Sequence, residues 1–460
     1  MEAQNLIAND EGSSSSTTAR SSRPGWSDAR TGVPSGTSSR TVVFAASIGN
    51  ALEWYDLIIY GVLAIPISKV FFPAHSELVS LLIALATFGA SFLMRPIGAL
   101  CLGSYADRHG RKAGMRLTIL IMGCGTLAIA VAPTYAVAGL AAPVIIVCAK
   151  FLQGFSAGGE FGTSVSFLVE HAPENRRGLF ASFQIVGVGL AATLASLVGF
   201  GSNRLFTPAE IMEWAWRIPF LLGLTILPIA WFIRRKVSET PVFETIANEG
   251  PRGSPLRESL SASKLRIVSA IGLYCLAAST NYLLGVYIPT YATRELGISA
   301  ASAFWGTLGF SLVQVFMAPV FGALSDIVGR RILIATGLVL VAAAVIPAFQ
   351  IMLHFRSAAS LIACMACLGI LVTLFQAPVP AFLSELFPTR TRTTGLAVIH
   401  NLNFTVFGGF APLLMTLLIA ATADRLVPAY YVLITAALAV CGLRNLVASK
   451  RREARLNGAV

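Results

Sequence analysis

Twelve mostly apolar runs, each long enough for a bilayer crossing, follow one another through this chain, with short charged turns between them. They cover roughly 41–66, 79–103, 114–133, 143–169, 178–201 and 214–233, then 266–290, 302–325, 332–353, 358–386, 394–421 and 427–447. A helix needs about 20 apolar residues to cross the hydrocarbon layer. In lipid, backbone groups must pair within a helix or around a closed barrel. Barrel strands are about ten residues of alternating polarity, and these runs are too long and too uniformly apolar for that. The expectation is an all-α integral membrane protein with twelve transmembrane helices. The chain is 55% hydrophobic and 12% charged, about half the charged fraction of a soluble domain.

The charges that remain are placed unevenly. With the N-terminus in the cytoplasm, the cytoplasmic turns hold Arg108, Arg111, Lys112, Arg116, Arg176, Arg177, Arg330, Arg331, Arg390 and Arg392, and the segment after the sixth span opens on Arg234, Arg235 and Lys236. The opposite loops hold only Lys69, Arg204, Arg217, Arg294, Arg356 and Arg425. The positive-inside rule then puts both termini in the cytoplasm, with the chain in the cell (inner) membrane. The net charge of +12 is read as orientation signals facing anionic lipid, not as a nucleic-acid surface.

Residues 1–40 are rich in Ser, Thr, Gly and Pro and too poor in apolar side chains to offset their ordering entropy. They are expected to form a disordered cytoplasmic tail, without the apolar centre of a secretory signal. Residues 234–264 read as a polar cytoplasmic linker between two six-helix bundles, 41–233 and 265–449, and residues 450–460 as a short basic tail. The seven cysteines sit in or at the ends of apolar runs. Cys364 and Cys367 have a redox or metal spacing but no second pair, and are read as packing residues.

Two motifs recur half a chain apart. Gly103-x-x-x-Asp107-Arg108-x-Gly110-Arg111-Lys112 matches Gly322-x-x-x-Asp326-x-x-Gly329-Arg330-Arg331. Glu170-x-x-Pro173 matches Glu385-x-x-Pro388, each followed by arginines and a glycine. The offsets are 219 (326 minus 107) and 215 (385 minus 170). Two matches at nearly one offset indicate duplication, and an even number of spans per copy makes the copies parallel repeats. This is the architecture of a carrier rather than of a soluble enzyme.

The same residues resemble the major facilitator superfamily, whose members carry the loop motif between helices two and three and often again between eight and nine. More narrowly, the chain resembles the metabolite:proton symporter family. That likeness rests on Gly49-Asn-Ala-Leu-Glu53-Trp54-Tyr55-Asp56, Arg95-Pro96-Ile-Gly98, Gln153 to Glu160, Trp216-Arg217-Ile-Pro219-Phe220 and Glu239-Thr-Pro241-x-Phe243. It covers nearly everything after residue 40. The resemblance implies proton-coupled symport of a small solute by alternating access. It also implies that the loop contacts latch the two halves on the cytoplasmic side. The expected gate residues are Gly103, Asp107, Arg108, Gly110, Arg111, Lys112, Gly322, Asp326, Gly329, Arg330 and Arg331. Glycine positions allow close helix approach, and the aspartates suit basic groups or a neighbouring helix N-terminus.

Charges inside the spans cost about 2.5–3.5 kcal/mol or more, so they mark work. Here they are Glu53, Asp56, Arg95, Lys150 and Glu160, all in the first half. Glu53 and Asp56 are three apart and share a helix face. Two close carboxylates in low dielectric do not both ionise cheaply, so this pair with Glu160 forms the candidate proton carrier. The competing reading is a static ion-pair network with Arg95 or Lys150. Those two cations are the candidate counter-charges of a carboxylate substrate, Arg95 as a bidentate fork and Lys150 as a point charge. Lys150 stands where many superfamily members carry Arg. Gln153, Asn281, Tyr282 and Gln376 are added as candidate substrate contacts, although Asn281, Tyr282 and Gln376, with Tyr287, His400, Asn401 and Asn403, read more readily as polar glue between helices than as ligands. His400 is placed near the cytoplasmic end of its span and is not taken as the proton site.

The leading function is symport of a small organic acid, a di- or tricarboxylate or a related carboxylate. The alternative is a zwitterionic osmolyte such as proline or betaine. The chain is expected to act as a monomer in the bilayer with no cofactor, metal or nucleic acid. An enzyme is disfavoured because no metal, phosphate-loop or nucleophile motif is present, and a channel would show no counterflow.

Overall fold

In the computed structural model, residues 39–109, 111–225, 228 and 264–456 are described. Among them all regular structure is helical. Among the described residues nine helices are long and apolar enough to cross a membrane, and a bent pair raises the number to ten. The third span adds the shorter apolar helix Arg116–Val131. The sixth is helical over 218–225, and most of its remainder lies outside the described residues. So do the expected tail at 1–38 and nearly all of the linker. The last helix, Val427–Leu456, runs on through most of the stretch assigned to the C-terminal tail.

Prolines shape the spans. The first span is Ser39–Val62 followed by Ala64–Phe71, bent by 70°. Pro66 has no N–H to donate to the carbonyl of Val62, so the ladder breaks there. The tenth span breaks between Ala358–Gln376 and Val379–Ser384, where Pro380 cannot reach Gln376. The seventh and eleventh spans each widen into a π-helical turn, Leu283–Tyr287 and Phe404–Gly409. Each lies just before a proline, Pro289 or Pro412, that leaves the carbonyl four residues back without its donor. The fourth span instead tightens into a 3-10 turn over Ala157–Gly159, then resumes as Glu160–Glu170. These breaks all fall beside the residues described below.

Lipid is as apolar as leucine, so helices in a bilayer associate through close packing of small residues and through polar contacts. Gly158 lies so close to the second span that a Cβ there would strike the Arg95 carbonyl and come within 2.6 Å of the Ala99 nitrogen. Asn401 Nδ2 donates to the Gly158 carbonyl at 2.6 Å, and Thr405 Oγ1 to that of Phe92 at 3.0 Å, which ties the eleventh span to the second and fourth. The fifth and eighth spans run together in the same way, with Thr193 Oγ1 bonded to Ser311 Oγ at 2.9 Å. Large apolar side chains such as Leu100, Val131, Phe316 and Ile327 point outward, which suits a surface solvated by lipid.

Candidate transport site and gate

Two of the buried charges of the first half, Asp56 and Lys150, are joined by one hydrogen-bonded chain, and a third, Arg95, lies against aromatic rings. Asp56, Thr126, Lys150 and Gln153 are at most 1% exposed. Lys150 Nζ donates to Gln153 Oε1 at 2.9 Å, Gln153 Nε2 donates to Thr126 Oγ1 at 2.9 Å, and Thr126 Oγ1 donates to Asp56 Oδ2 at 3.0 Å. The fourth span is thereby tied through the third to the first. Among the described residues Asp56 and Lys150 form no direct ion pair. The ammonium also lies 4.7 Å from the Tyr60 ring centroid and 5.5 Å from that of Phe88, a cation–π arrangement. Asp56 Oδ1 has no hydrogen-bond partner. It lies against the backbone of Gly223 in the sixth span. Glu53 and Glu160 are partly buried.

Arg95 is 1% exposed and has a different environment. Its guanidinium carbon lies 4.2 Å from the Phe92 ring centroid and 5.7 Å from that of Trp54. Nε and Nη2 have no hydrogen-bond partner, and no carboxylate forms an ion pair with Arg95 among the described residues. Both halves supply aromatic walls here: Tyr282 packs at 5.2 Å on Phe92, 5.6 Å on Phe404 and 6.3 Å on Trp54. Trp54 and Tyr282 also line a narrow cavity, with Ile58, Phe310, Asn281 and Gln314, that has room for about one water molecule.

Other sequence-selected residues are placed differently from one another. Tyr282 and Asn281 border the cavity. Gln376 does not; its amide donates to Thr280 Oγ1 at 3.0 Å and accepts from Gln314 at 3.4 Å, as helix glue. Lys150 and Gln153 are committed to the chain toward Asp56. His400, expected near a span end, is 2% exposed and stacked between Phe161 and Phe404, with centroids at 3.8 and 4.0 Å. Its Nδ1 lies 3.3 Å from Tyr274 Oη. Thr126, Phe92, Trp54 and Gln314 were not among the sequence candidates. The nearest signal for the second-half wall was the prolines that force π turns beside Tyr282 and Phe404, a feature frequent at functional sites.

The second loop copy forms a contact between the halves. Asp326 receives the Gly178 N–H on Oδ1 at 2.8 Å and the Leu179 N–H on Oδ2 at 2.9 Å. These are orphan donors at the start of the helix Arg177–Leu205, where a carboxylate is favoured by hydrogen bonding and by the helix dipole. Arg330 bonds Asp326 at 3.0 Å and pairs with Glu385. Glu170, the counterpart of Glu385, meets Arg392 at 3.6 Å across the halves. Gly322 lies so near the fifth span that a Cβ would come within 2.6 Å of Ser182 Cβ. Gly329 ends its helix at φ +102°, where a side chain would be strained, and Arg331 is exposed. In the first copy, Gly103, Asp107 and Arg108 lie on the helix Glu77–His109, and Arg111 and Lys112 open the helix Arg111–Val131. The side chains of Asp107, Arg108, Arg111 and Lys112, and Gly110 altogether, are outside the described residues.

A helical membrane bundle with buried charges at its middle and a bonded latch at one end is built as a transporter. The family models agree: that for sugar (and other) transporters matches residues 42–250, and that for the Major Facilitator Superfamily matches residues 270–459. A citrate-proton symporter of Klebsiella pneumoniae is 35% identical over 90% of this chain and 92% of its own length. A proline/betaine transporter of Salmonella typhimurium is 32% identical over 91% of this chain and 85% of its own. The chain belongs to the major facilitator superfamily. It is a multi-pass membrane transporter, not an enzyme. Among solved structures, the xylose transporter XylE from E. coli superposes with a TM-score of 0.69 at 15% identity, covering 88% of this chain and 96% of that one. That likeness is one of fold.

Proposed function

We propose that this chain is a proton-coupled symporter of a small organic acid in the cell (inner) membrane. Two six-helix bundles rock about a central site, both termini face the cytoplasm, and the monomer suffices. The observation that supports this reading is Arg95, a fully buried guanidinium whose Nε and Nη2 have no hydrogen-bond partner and which lies against the Phe92 and Trp54 rings. A buried cation without a counter-ion is costly, and a carboxylate is its natural partner. Asp56 is the leading proton carrier because its carboxylate is buried and reaches Lys150 only through Thr126 and Gln153. Glu53 and Glu160 remain secondary candidates at the edges of the same region. The Asp326 contact closes the cytoplasmic side.

Uptake by the purified protein in proteoliposomes tests the reading, with citrate, dicarboxylates and glycine betaine offered under an inward proton gradient. The expected result is accumulation of a carboxylate that a protonophore abolishes. Arg95→Gln should raise KM by about tenfold or more, since hydrogen bonds to a charged group contribute about 1.5–3 kcal/mol. Accumulation indifferent to the proton gradient would remove the coupling. A second reading, a zwitterionic osmolyte, draws support from the aromatic faces of Trp54, Phe92 and Tyr282, which suit a quaternary ammonium. Preferential uptake of betaine over every di- and tricarboxylate would select it.

A further inference from the structure

The direction of every bond in the buried chain is fixed by chemistry. Lys150 has donors only, so Gln153 must present its oxygen to Nζ and its amide N–H to Thr126. That amide occupies one lone pair of the Thr126 hydroxyl. The hydroxyl keeps its own proton and a second lone pair. It also has two acceptors in reach, Asp56 Oδ2 at 3.0 Å and the Met122 carbonyl at 3.1 Å. One proton cannot serve both acceptors fully.

We propose that Thr126 is a two-state hydroxyl switch, a positioning residue that lets Asp56 take up and release a proton on Oδ2 while Oδ2 and the Thr126 hydroxyl both stay hydrogen-bonded. With Asp56 ionised, the Thr126 O–H donates to Oδ2. When a proton arrives and binds Oδ2, the new Asp56 O–H donates to the free lone pair of Thr126. The Thr126 hydroxyl then turns its own proton to the Met122 carbonyl. Thr126 neither gains nor loses a proton, the Gln153 bond stands in both states, and the only net change is one proton added to Asp56. Few other groups could do this at that place. Asp56 faces the hydroxyl from the third span, the Gln153 and Lys150 side chains from the fourth, and the Gly223 backbone from the sixth. Tyr55, beside it in the chain, already donates to the Pro219 carbonyl at 2.8 Å. Arg95 contributes charge but no bond to this chain. A valine of the same shape would fill the space and hold neither state.

The inference rests on the reading of Asp56 as proton carrier, and the test separates the two. Infrared difference spectra are recorded on the full-length protein in lipid as the pH falls from about 9 to about 4. The protonated carboxyl band of Asp56 is the one lost in Asp56→Asn. In Thr126→Ser its position should be retained. In Thr126→Val it should move to higher wavenumber, because the acid O–H has lost its acceptor, and Thr126→Cys, with a weak acceptor, should fall between. Thr126→Ser and Thr126→Cys keep the test alive if the valine variant does not fold. A band that stays put in Thr126→Cys and Thr126→Val, or moves equally in Thr126→Ser, overturns the switch while leaving the carrier assignment intact. Absence of any band sensitive to Asp56→Asn overturns the carrier assignment, and the switch with it.

Discussion

Replacing Asp326 by Asn should shift the transporter toward the state that is open at the latch. The carboxylate accepts two backbone N–H groups from the start of the fifth span, at 2.8 and 2.9 Å, and the Arg330 guanidinium at 3.0 Å. Its side chain is 6% exposed, so little of the interaction is lost to solvent screening. Asn keeps one acceptor oxygen and loses the charge. One helix N–H then goes unpaired, and the remaining bond falls from about 1.5–3 to about 0.5–1.5 kcal/mol. The loss is about 2–3 kcal/mol in the latched state alone, because the bonds cannot exist once the fifth and eighth spans part. At 1.4 kcal/mol per decade that is about a thirtyfold to hundredfold change in the population ratio. Spin labels at Glu174→Cys and Val328→Cys, with the native cysteines replaced, report the separation of the two helices. The long-distance population should rise in Asp326→Asn and stay unchanged in Arg331→Gln, whose side chain is exposed. Unchanged distances in Asp326→Asn would refute the argument, since they would mean the two backbone N–H bonds to Asp326 do not hold the halves together.

Two further tests address packing and pH. Gly158→Ala drives a Cβ into the Arg95 carbonyl and should cost about 1–3 kcal/mol by overpacking, measured as a lower unfolding temperature in detergent. Gly201→Ala, with nothing within 4 Å of the new carbon and a helical backbone, should not lower that temperature and should raise it slightly. In the loop between spans five and six, the Thr207 backbone and hydroxyl hydrogen bonds hold the Glu210 carboxyl below its usual range. A lowered carboxyl contributes stability above its unfolded value and loses it only as pH falls through the folded one. The capping box should therefore persist well into mildly acidic solution, and Glu210→Gln should not alter the pH profile of uptake above about pH 5.

How much of this was legible depends on the range of the signal. Span positions follow from local hydropathy, and the helices fall on them, except that most of span six lies outside the described residues. Asp326 was legible because a repeated motif singled it out, and a carboxylate beside a helix start has few better partners than the orphan N–H groups there. Thr126 was not, because a threonine in a membrane helix is ordinary. Its meaning comes from residues 70 positions before it and 27 after it. Arg95 was expected to find either a substrate or an acid, and the structure gives it aromatic faces, a partner class that charge bookkeeping does not register. The enclosure of His400 was not legible, because the rings that stack on it, Phe161 and Phe404, come from another span and from the π turn that follows it.

The asymmetry between the halves now has a physical use. The chain from Lys150 to Asp56 is held within the first-half spans, so it moves as a unit when the halves rock. The aromatic wall is shared: Trp54 and Phe92 come from the first half, Tyr282 and Phe404 from the second. Closing that wall around Arg95 removes the guanidinium from water. The solvation cost is several kcal/mol for an unpaired ion, against about 2 kcal/mol recovered from the ring faces. A carboxylate on Arg95 removes most of that deficit. The closed arrangement is thus favoured when an anion sits on the cation, and disfavoured otherwise. A carrier that closes easily only when loaded does not leak, so on the proposed reading Arg95 would serve coupling as well as recognition.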